Sequence, residues 1–537
     1  MQQYKGKSIV GGAAVGRILF YDRKQQPQQR VTVEDTASEI RRYTEAKAKA
    51  TKQLKSLYDK ALKEAGKENA AVFEVHRMML DDEEYNASII NTINTEKTCA
   101  EYAVETAGNA YYAKFAGMGD EYIKERSADV KDVSERLVRI LNGRENDMPD
   151  LTEPVILVAE ELTPSETVQF DKTGILAFVT HLGSANSHTA ILARTMNIPA
   201  VTGIATDKSW NGHQAVVDAY SGTITIDPDD ELLKEMLLIK HRDEEHRKLL
   251  QQLKGKPTVS KSGKKIRLYA NIGGVKDTKA ALENDAEGIG LFRSEFLYLE
   301  SDDFPSEETQ FAAYKTVAQN MGGKQVVIRT LDLGADKQAD YFDLGREDNP
   351  ALGCRAIRIC LERPGIFRTQ LRAIYRASAF GNLAIMFPMI ISLDEVLQCK
   401  KIAEEVKEEL KREGIACSDN VELGIMIETP AAALISETLA KEVDFLSIGT
   451  NDLTQYTLAI DRQNAKLESI YDPHHPAVLK LIRMTIENGH KGGARVGICG
   501  ELAADTSLTQ KFIEYGVDEL SVAPSFILPV RNAVLCS

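Results

Sequence analysis

The spacing of apolar and polar positions divides this 537-residue chain into stretches of different character. It opens with Ser8-Ile9-Val10-Gly11-Gly12-Ala13-Ala14-Val15-Gly16-Arg17-Ile18-Leu19-Phe20, a short apolar run broken by glycines, which predicts strands and turns. From about Val33 to Asn142, proline-free runs of Glu, Lys, Ala and Leu follow at helical spacing and predict an all-helical region of about four helices. From Pro154 short strand-like and helical patterns return as far as Ile226, so the helical region reads as an insertion into the domain that begins at the N-terminus. Asp227-Pro228-Asp229-Asp230 then opens a charged helix. Its centre, Lys240-His241-Arg242-Asp243-Glu244-Glu245-His246-Arg247-Lys248, is too polar for a core and fits a solvent-bridging connector that ends at Gly255-Lys256-Pro257.

Beyond the connector, apolar strand-like runs recur eight times: Ile266–Ala270, Gly288–Phe292, Val326–Ile328, Leu383–Phe387, Leu423–Ile427, Phe445–Ile448, Arg495–Ile498 and Glu519–Val522. Amphipathic helical segments separate them. Eight strand–helix units over about 280 residues is the pattern of a (β/α)₈ barrel. In such a barrel the reactive groups lie at the C-terminal ends of the strands, and charged residues here fall where the runs end.

Composition narrows the class. Hydrophobic residues make up 43% and charged residues 27%, the balance of an ordinary globular protein of several domains. A formal net charge of −14 speaks against nucleic-acid or acidic-membrane binding and favours a partner with a basic patch. No apolar stretch reaches the ~18 residues of a membrane span, and the first residues do not read as a signal peptide. The seven cysteines are scattered without a C-x-x-C pair, as expected in a reducing cytoplasm.

Two regions carry chemistry. After the strand-like run Ile175 to Val179 the chain passes through small polar residues and enters a helical pattern at Ala190, Ile191 and Leu192. His188 thus lies near a helix N-terminus, where free N–H groups and the helix dipole favour a bound anion. Flanked by Ser187 and Thr189, it is suited to carry a phosphoryl group on a ring nitrogen, and the ordinary alternative is a capping turn with a hydrogen-bonded imidazole. At the barrel rim, Arg293 follows the second run and Arg329 ends the third. Their planar donor forks suit a doubly charged phosphate, although each could equally be salt-bridged to neighbours. Glu428 ends the fifth run and Asp452 follows the sixth, two hard carboxylates that suggest Mg²⁺ completed by waters and substrate. Arg462 adds positive charge from the loop after the sixth run. Cys499, between the seventh run and Gly500, is either a small core residue or a candidate acid facing the ligand.

Ser187-His188-Thr189-Ala190-Ile191-Leu192-Ala193-Arg194, followed by Ile198-Pro199-Ala200-Val201, resembles the phosphohistidine domain of phosphoenolpyruvate-using phosphotransferases. The similarity is greatest to the Enzyme I family of the bacterial phosphotransferase system and covers nearly the whole chain. Members usually carry Gly-Gly-Arg-Thr before the Ser-His pair, whereas Gly183, Ser184, Ala185 and Asn186 stand here. The resemblance implies an α/β multidomain protein. Residues 1–26 and 144–228 would form the phosphohistidine α/β domain, 27–143 a helical carrier-binding insert, 229–257 a linker helix, and 258–537 a phosphoenolpyruvate-binding (β/α)₈ TIM barrel. It implies that Arg293, Arg329 and Arg462 clamp the phosphate, that Asn451 and Asp452 hold the ligand, that Glu428 and Asp452 bind Mg²⁺, and that Cys499 protonates the methylene carbon as pyruvate forms. Arg355, in Asn349-Pro350-Ala351-Leu352-Gly353-Cys354-Arg355, fits a further family signature and is a supporting residue. The helix around Ala71-Val72-Phe73-Glu74-Val75-His76-Arg77-Met78-Met79-Leu80 matches part of the docking face for the histidine phosphocarrier protein HPr, with His76 on it; an ordinary amphipathic helix is the alternative. A homodimer through the barrel is also implied.

The expected reaction is phosphoryl transfer from phosphoenolpyruvate to His188, through Nε2 by the resemblance, and onward to the carrier protein. His188 and the barrel rim lie in different domains, so the chain is expected to swing about hinges near Ile226–Asp230 and Gly255–Pro257. An ATP-linked relative of the pyruvate phosphate dikinase or phosphoenolpyruvate synthase type would need a nucleotide-grasp domain. The mostly helical residues before Pro154, with no Gly-rich nucleotide loop, speak against it. A non-catalytic regulator of the same fold would not need the set His188, Arg293, Arg329, Glu428, Asp452 and Cys499.

Overall fold

The computed structural model describes residues 1–21, 28–64, 66–117, 127–144, 153–170, 174–182, 188–196, 198–299, 301, 303–334, 340–345, 347–462, 464 and 466–537. The chain divides into two compact units, Met1–His246 and Arg247–Ser537.

The first unit contains an eight-stranded sheet of β1 (Gln2–Lys5), β2 (Lys7–Val10), β3 (Ala13–Tyr21), β4 (Val155–Ala159), β5 (Ile175–Thr180), β6 (Ala200–Thr202), β7 (Gln214–Asp218) and β8 (Thr223–Ile226), in the order β1-β8-β7-β3-β4-β5-β6-β2. β3 pairs in parallel with β4, Ile18 opposite Ile156, although the whole helical region separates them in sequence. The apolar runs explain this placement. In β4, Ile156 and Val158 face one core while Leu157 and Ala159 face the other, so the strand must lie between two covered faces.

The helical region has its own core, which includes Tyr43, Leu54, Phe73, Ile89, Val104 and Leu137. Its described helices are Thr36–Glu64, Gly66–Asp81, Glu83–Glu96, Ala100–Ala116 and Ser127–Leu141, five against the expected four or so. One reason is local: Asp82 accepts a hydrogen bond from the Tyr85 amide at 2.7 Å, starting a new helix where composition alone shows none. The charged helix Asp230–Gln251 forms as expected. Its first turns seat Leu232, Leu233 and Met236 against Ala13 and Val216 of the sheet, which is why its apolar residues concentrate there.

The second unit is a closed parallel barrel of β9 (Arg267–Ile272), β10 (Ile289–Arg293), β11 (Val326–Arg329), β12 (Leu383–Phe387), β13 (Glu422–Ile427), β14 (Phe445–Ile448), β15 (Arg495–Ile498) and β16 (Glu519–Val522). Each strand falls on one of the eight apolar runs. Alternation sorts the side chains: Leu446, Ile448, Val496, Ile498, Leu520 and Val522 join the large core beneath the helices. Phe445, Met426, Met386, Ala384, Val327, Leu291 and Cys499 form a separate cluster of buried residues inside the barrel. No helix among the described residues is long and apolar enough to cross a membrane.

Candidate active site at the rim of the barrel

Because the strands are parallel, their last inward-facing residues meet at one end of the barrel. Arg293 and Arg329 close β10 and β11 and stand opposite each other in register. Arg329 is almost fully buried. Its Nη2 donates to Glu295 Oε1 at 2.6 Å and its Nη1 lies 2.7 Å from Asp332 Oδ2. Burial alone would lower the pKa of this guanidinium, but Asp332, Glu295, Glu428 and Asp452 around it hold the pKa above its ordinary value. Arg293 is half-buried and carries no ion pair among the described residues, which leaves its donors available to a ligand.

Arg355 arrives from the loop after β11 and donates through Nη2 to Asp332 Oδ1 at 2.9 Å and through Nη1 to the Tyr456 hydroxyl at 3.1 Å. Its backbone approach depends on Gly334, where a Cβ would come within 2.4 Å of the Arg355 Cβ. The next residue, Ala356, is held at φ 53°, an unfavourable conformation for a residue with a Cβ. Asp332 therefore binds two guanidinium groups at once.

Glu428 follows β13 with 1% exposure, and its Oε1 accepts the Met389 amide at 2.6 Å. Burial, then repulsion from Asp452 and Asp332, pushes its pKa up to about 8 against the pull of Arg329 and Arg355. Asp452 sits in the first turn of the helix Thr450–Leu458 after β14, with Arg355 Nη2 at 3.8 Å and Arg462 Nη2 at 4.0 Å. Asn451, beside it, is tied to Glu501 by a donated bond at 3.2 Å and an accepted one at 3.0 Å. Cys499 is 3% exposed and its Sγ lies 3.6 Å from the Ile448 carbonyl oxygen. Burial pushes its pKa up to about 11, so it remains a protonated thiol near neutral pH.

The donor set can be tested against a divalent cation. Glu428 and Asp452 offer hard oxygens, and burial together with the repulsion among Glu428, Asp452 and Asp332 raises the Glu428 pKa, a repulsion that a cation between the carboxylates would relieve. Among the described residues no group of three or more His, Cys, Asp or Glu could hold a metal ion alone. Two carboxylates with the remaining positions left to ligand and water fit a small hard cation.

With this geometry in place, three family models match the chain: PEP-utilising enzyme, N-terminal, over residues 5–126; the mobile domain over 151–222; and the PEP-binding domain over 247–536. A phosphoenolpyruvate-protein phosphotransferase of Bacillus subtilis (strain 168) is 43% identical over 99% of this chain and 94% of its own length. Its counterpart in Geobacillus stearothermophilus is 44% identical over 98% and 92%. That of Haemophilus influenzae is 42% identical over 97% and 92%. The chain belongs to the phosphoenolpyruvate-protein phosphotransferase family. This is a transferase family that generally uses a divalent metal.

In this member of the family, the second region of interest lies in the other unit. His188 is the first residue of the helix His188–Met196, just after β5, the position expected for it. Its side chain and residues 183–187, with the departure at Ser184, Ala185 and Asn186, lie outside the described residues. His76 departs from expectation. It is 0% exposed, with Nε2 3.2 Å from Asp129 Oδ1 and Nδ1 3.9 Å from Asp132 Oδ2. A ring so enclosed cannot touch a docked carrier; its Nε2 hydrogen-bonds Asp129, whereas Nδ1 and Asp132 Oδ2 face each other too far apart for a hydrogen bond. Met78, on the same helix, is 72% exposed instead.

The sequence did not single out Asp332 and Glu295, which the structure places as carboxylate partners of the rim arginines. Both were visible beside the arginines, and the i,i+3 spacing of Arg329 and Asp332 was the one signal. What it lacked was any sign that Arg355 would share the same carboxylate.

Proposed function

We propose that this chain transfers the phosphoryl group of phosphoenolpyruvate to His188 and then to the histidine phosphocarrier protein HPr, releasing pyruvate as the first step of a sugar phosphotransferase system. The observation that carries the reading is the shared rim: Arg293, Arg329, Arg355, Glu428, Asp452 and Cys499 all end neighbouring strands, or the loops after them, at one mouth of the barrel. Relatives of nearly equal length that are phosphoenolpyruvate-protein phosphotransferases favour this reading over an ATP-linked dikinase or synthase.

Arg293, Arg329 and Arg462 bind the phosphate, with Arg355 and Asp332 fixing the second arginine in place. Asn451 and Asp452 orient the ligand. Glu428 and Asp452 would hold Mg²⁺, which when bound neutralises charge on the phosphoryl and enolate oxygens. The His188 imidazole attacks phosphorus as the bond to the enolate oxygen breaks. The enolate's carbon–carbon electron pair then takes the proton of the Cys499 thiol, the S–H electrons stay on sulfur, and pyruvate forms. The raised pKa of Cys499 keeps that proton in place until the enolate appears.

The reading includes the domain division 1–26 with 144–228, 27–143, 229–257 and 258–537, supported by the sheet that joins residues 2–21 to 155–226. It includes a reducing cytoplasm, supported by seven free cysteines, and a homodimer through the barrel, carried by the family resemblance.

Incubation with phosphoenolpyruvate and Mg²⁺ is expected to give acid-labile phosphate on the wild type and none on His188→Ala. Cys499→Ala is expected to lower kcat for pyruvate by about 100-fold with a small change in KM. Equal loss in both constants would assign Cys499 to packing.

A further inference from the structure

Below the rim, the barrel interior is unusual. Barrels of this kind are normally filled by layers of branched apolar side chains. At the N-terminal ends of β9, β13, β15 and β16 stand Arg267, Glu422, Arg495 and Glu519 instead. Arg495 binds Glu422 through both oxygens at 2.9 and 2.7 Å. Glu519 is left facing Arg495 and Arg267 across a cavity of ≈ 280 Å³, its mouth included. The interior of this cavity has room for about one water.

Two glycines keep the cavity open. A Cβ on Gly290 would lie 2.7 Å from Glu519 Oε1, and one on Gly497 would lie 3.1 Å from the Glu519 Cβ. The cavity also reaches Ser447, which is 4% exposed and whose hydroxyl has no well-formed hydrogen bond. Ser447 pairs in register with Gly497, two residues before Cys499, which brings its hydroxyl against the Cys499 thiol. A buried hydroxyl set between the Cys499 thiol and a water-sized cavity, with no well-formed hydrogen bond to either side, calls for an explanation.

The geometry points to a proton path: Glu519, a cavity water and Ser447 return a proton to Cys499 from the N-terminal mouth of the barrel. This rests on the reading above, in which Cys499 protonates the enolate. Each turnover leaves a buried thiolate beneath a site that must keep water from the transferring phosphoryl group. The thiolate takes the Ser447 hydroxyl proton, Ser447 takes one from the water, and the water takes one from the Glu519 carboxyl. The Glu519 carboxylate is then reprotonated from solvent. Burial pushes the Glu519 pKa up to about 7 against the pull of Arg495 and Arg267, so it carries a proton for part of the time near neutrality.

The test uses the full chain with phosphoenolpyruvate, Mg²⁺ and the carrier protein, followed by rapid quench in H₂O and D₂O. Ser447→Ala and Glu519→Gln are expected to make phosphohistidine and pyruvate at the wild-type rate and amplitude in the first turnover. Later turnovers should slow by at least about tenfold, with a larger solvent isotope effect than the wild type. Ser447→Ala removes one small hydroxyl beside the Cys499 thiol, and lost packing alone does not predict an unchanged first turnover followed by slowed later ones. Steady-state rates and isotope effects equal to wild type in both variants would overturn the path. So would loss of the first turnover, which would assign the two residues to the site's architecture. Absence of phosphohistidine in the wild type would overturn the underlying reading instead.

Discussion

Asp332 receives Arg329 on one oxygen, at 2.7 Å, and Arg355 on the other, at 2.9 Å, with only 3% of its side chain exposed. Two buried guanidinium groups held by one carboxylate are fixed in direction before any ligand arrives, which lowers the ordering cost of binding a phosphate. Asp332→Ala removes the carboxylate the two cations share, leaving Glu295 to Arg329 and Tyr456 with the more distant Asp452 to Arg355. We expect a loss of about 3–5 kcal/mol in barrel stability, read from the denaturation midpoint, together with a raised KM for phosphoenolpyruvate. A variant with wild-type stability and KM would remove Asp332 from this role. Arg329, Glu428, Asp452 and Cys499 were legible from the sequence because each ends or follows an apolar run. Asp332 was not, because a carboxylate three residues beyond an arginine does not show which other cations will reach it.

At the scale of elements, the helix Gly66–Asp81 shows how one face serves the core and another the surroundings. Phe73 and His76 turn inward, ring against ring at 6.0 Å, and His76 lies between Asp129 and Asp132. Met78 turns outward. If this helix docks the carrier, as the family resemblance implies, the contact falls on Met78 and its exposed neighbours. Met78→Glu is expected to slow phosphoryl transfer to the carrier about tenfold while leaving His188 phosphorylation unchanged. Unchanged transfer would place the docking face on another helix. The periodicity of this region predicted helices, and the family resemblance put His76 on the docking face, whereas the ring lies buried. The Asp129–Asp132 pair that draws it inward comes from a helix more than fifty residues later.

For the whole molecule, the proposed chemistry is divided between two compact units, with His188 in Met1–His246 and the arginine-lined rim in Arg247–Ser537. His188 must reach the rim to be phosphorylated and the carrier to be discharged, and one imidazole cannot face both at once. A disulfide engineered to lock the two units together is therefore expected to permit one phosphorylation of His188 and to block onward transfer, with reduction restoring turnover. Unimpaired turnover in the locked protein would refute the swing.

The sequence by itself determined the elements and their order. The eight barrel strands, the strands at either end of the helical region and the polar helix all follow from local periodicity, and strand ends named most of the rim. Parallel strands place their ends together, so this much needs no knowledge of distant contacts. Tertiary structure alone decided which groups share a partner: Asp332 between two arginines, His76 between two acids, Ser447 between Cys499 and the cavity that Glu519 lines. Those pairings join residues far apart in the chain, and they are set by barrel closure, strand register and helix packing. A one-residue slip in register would turn Ser447 out of the barrel, and no local pattern of residues records that register.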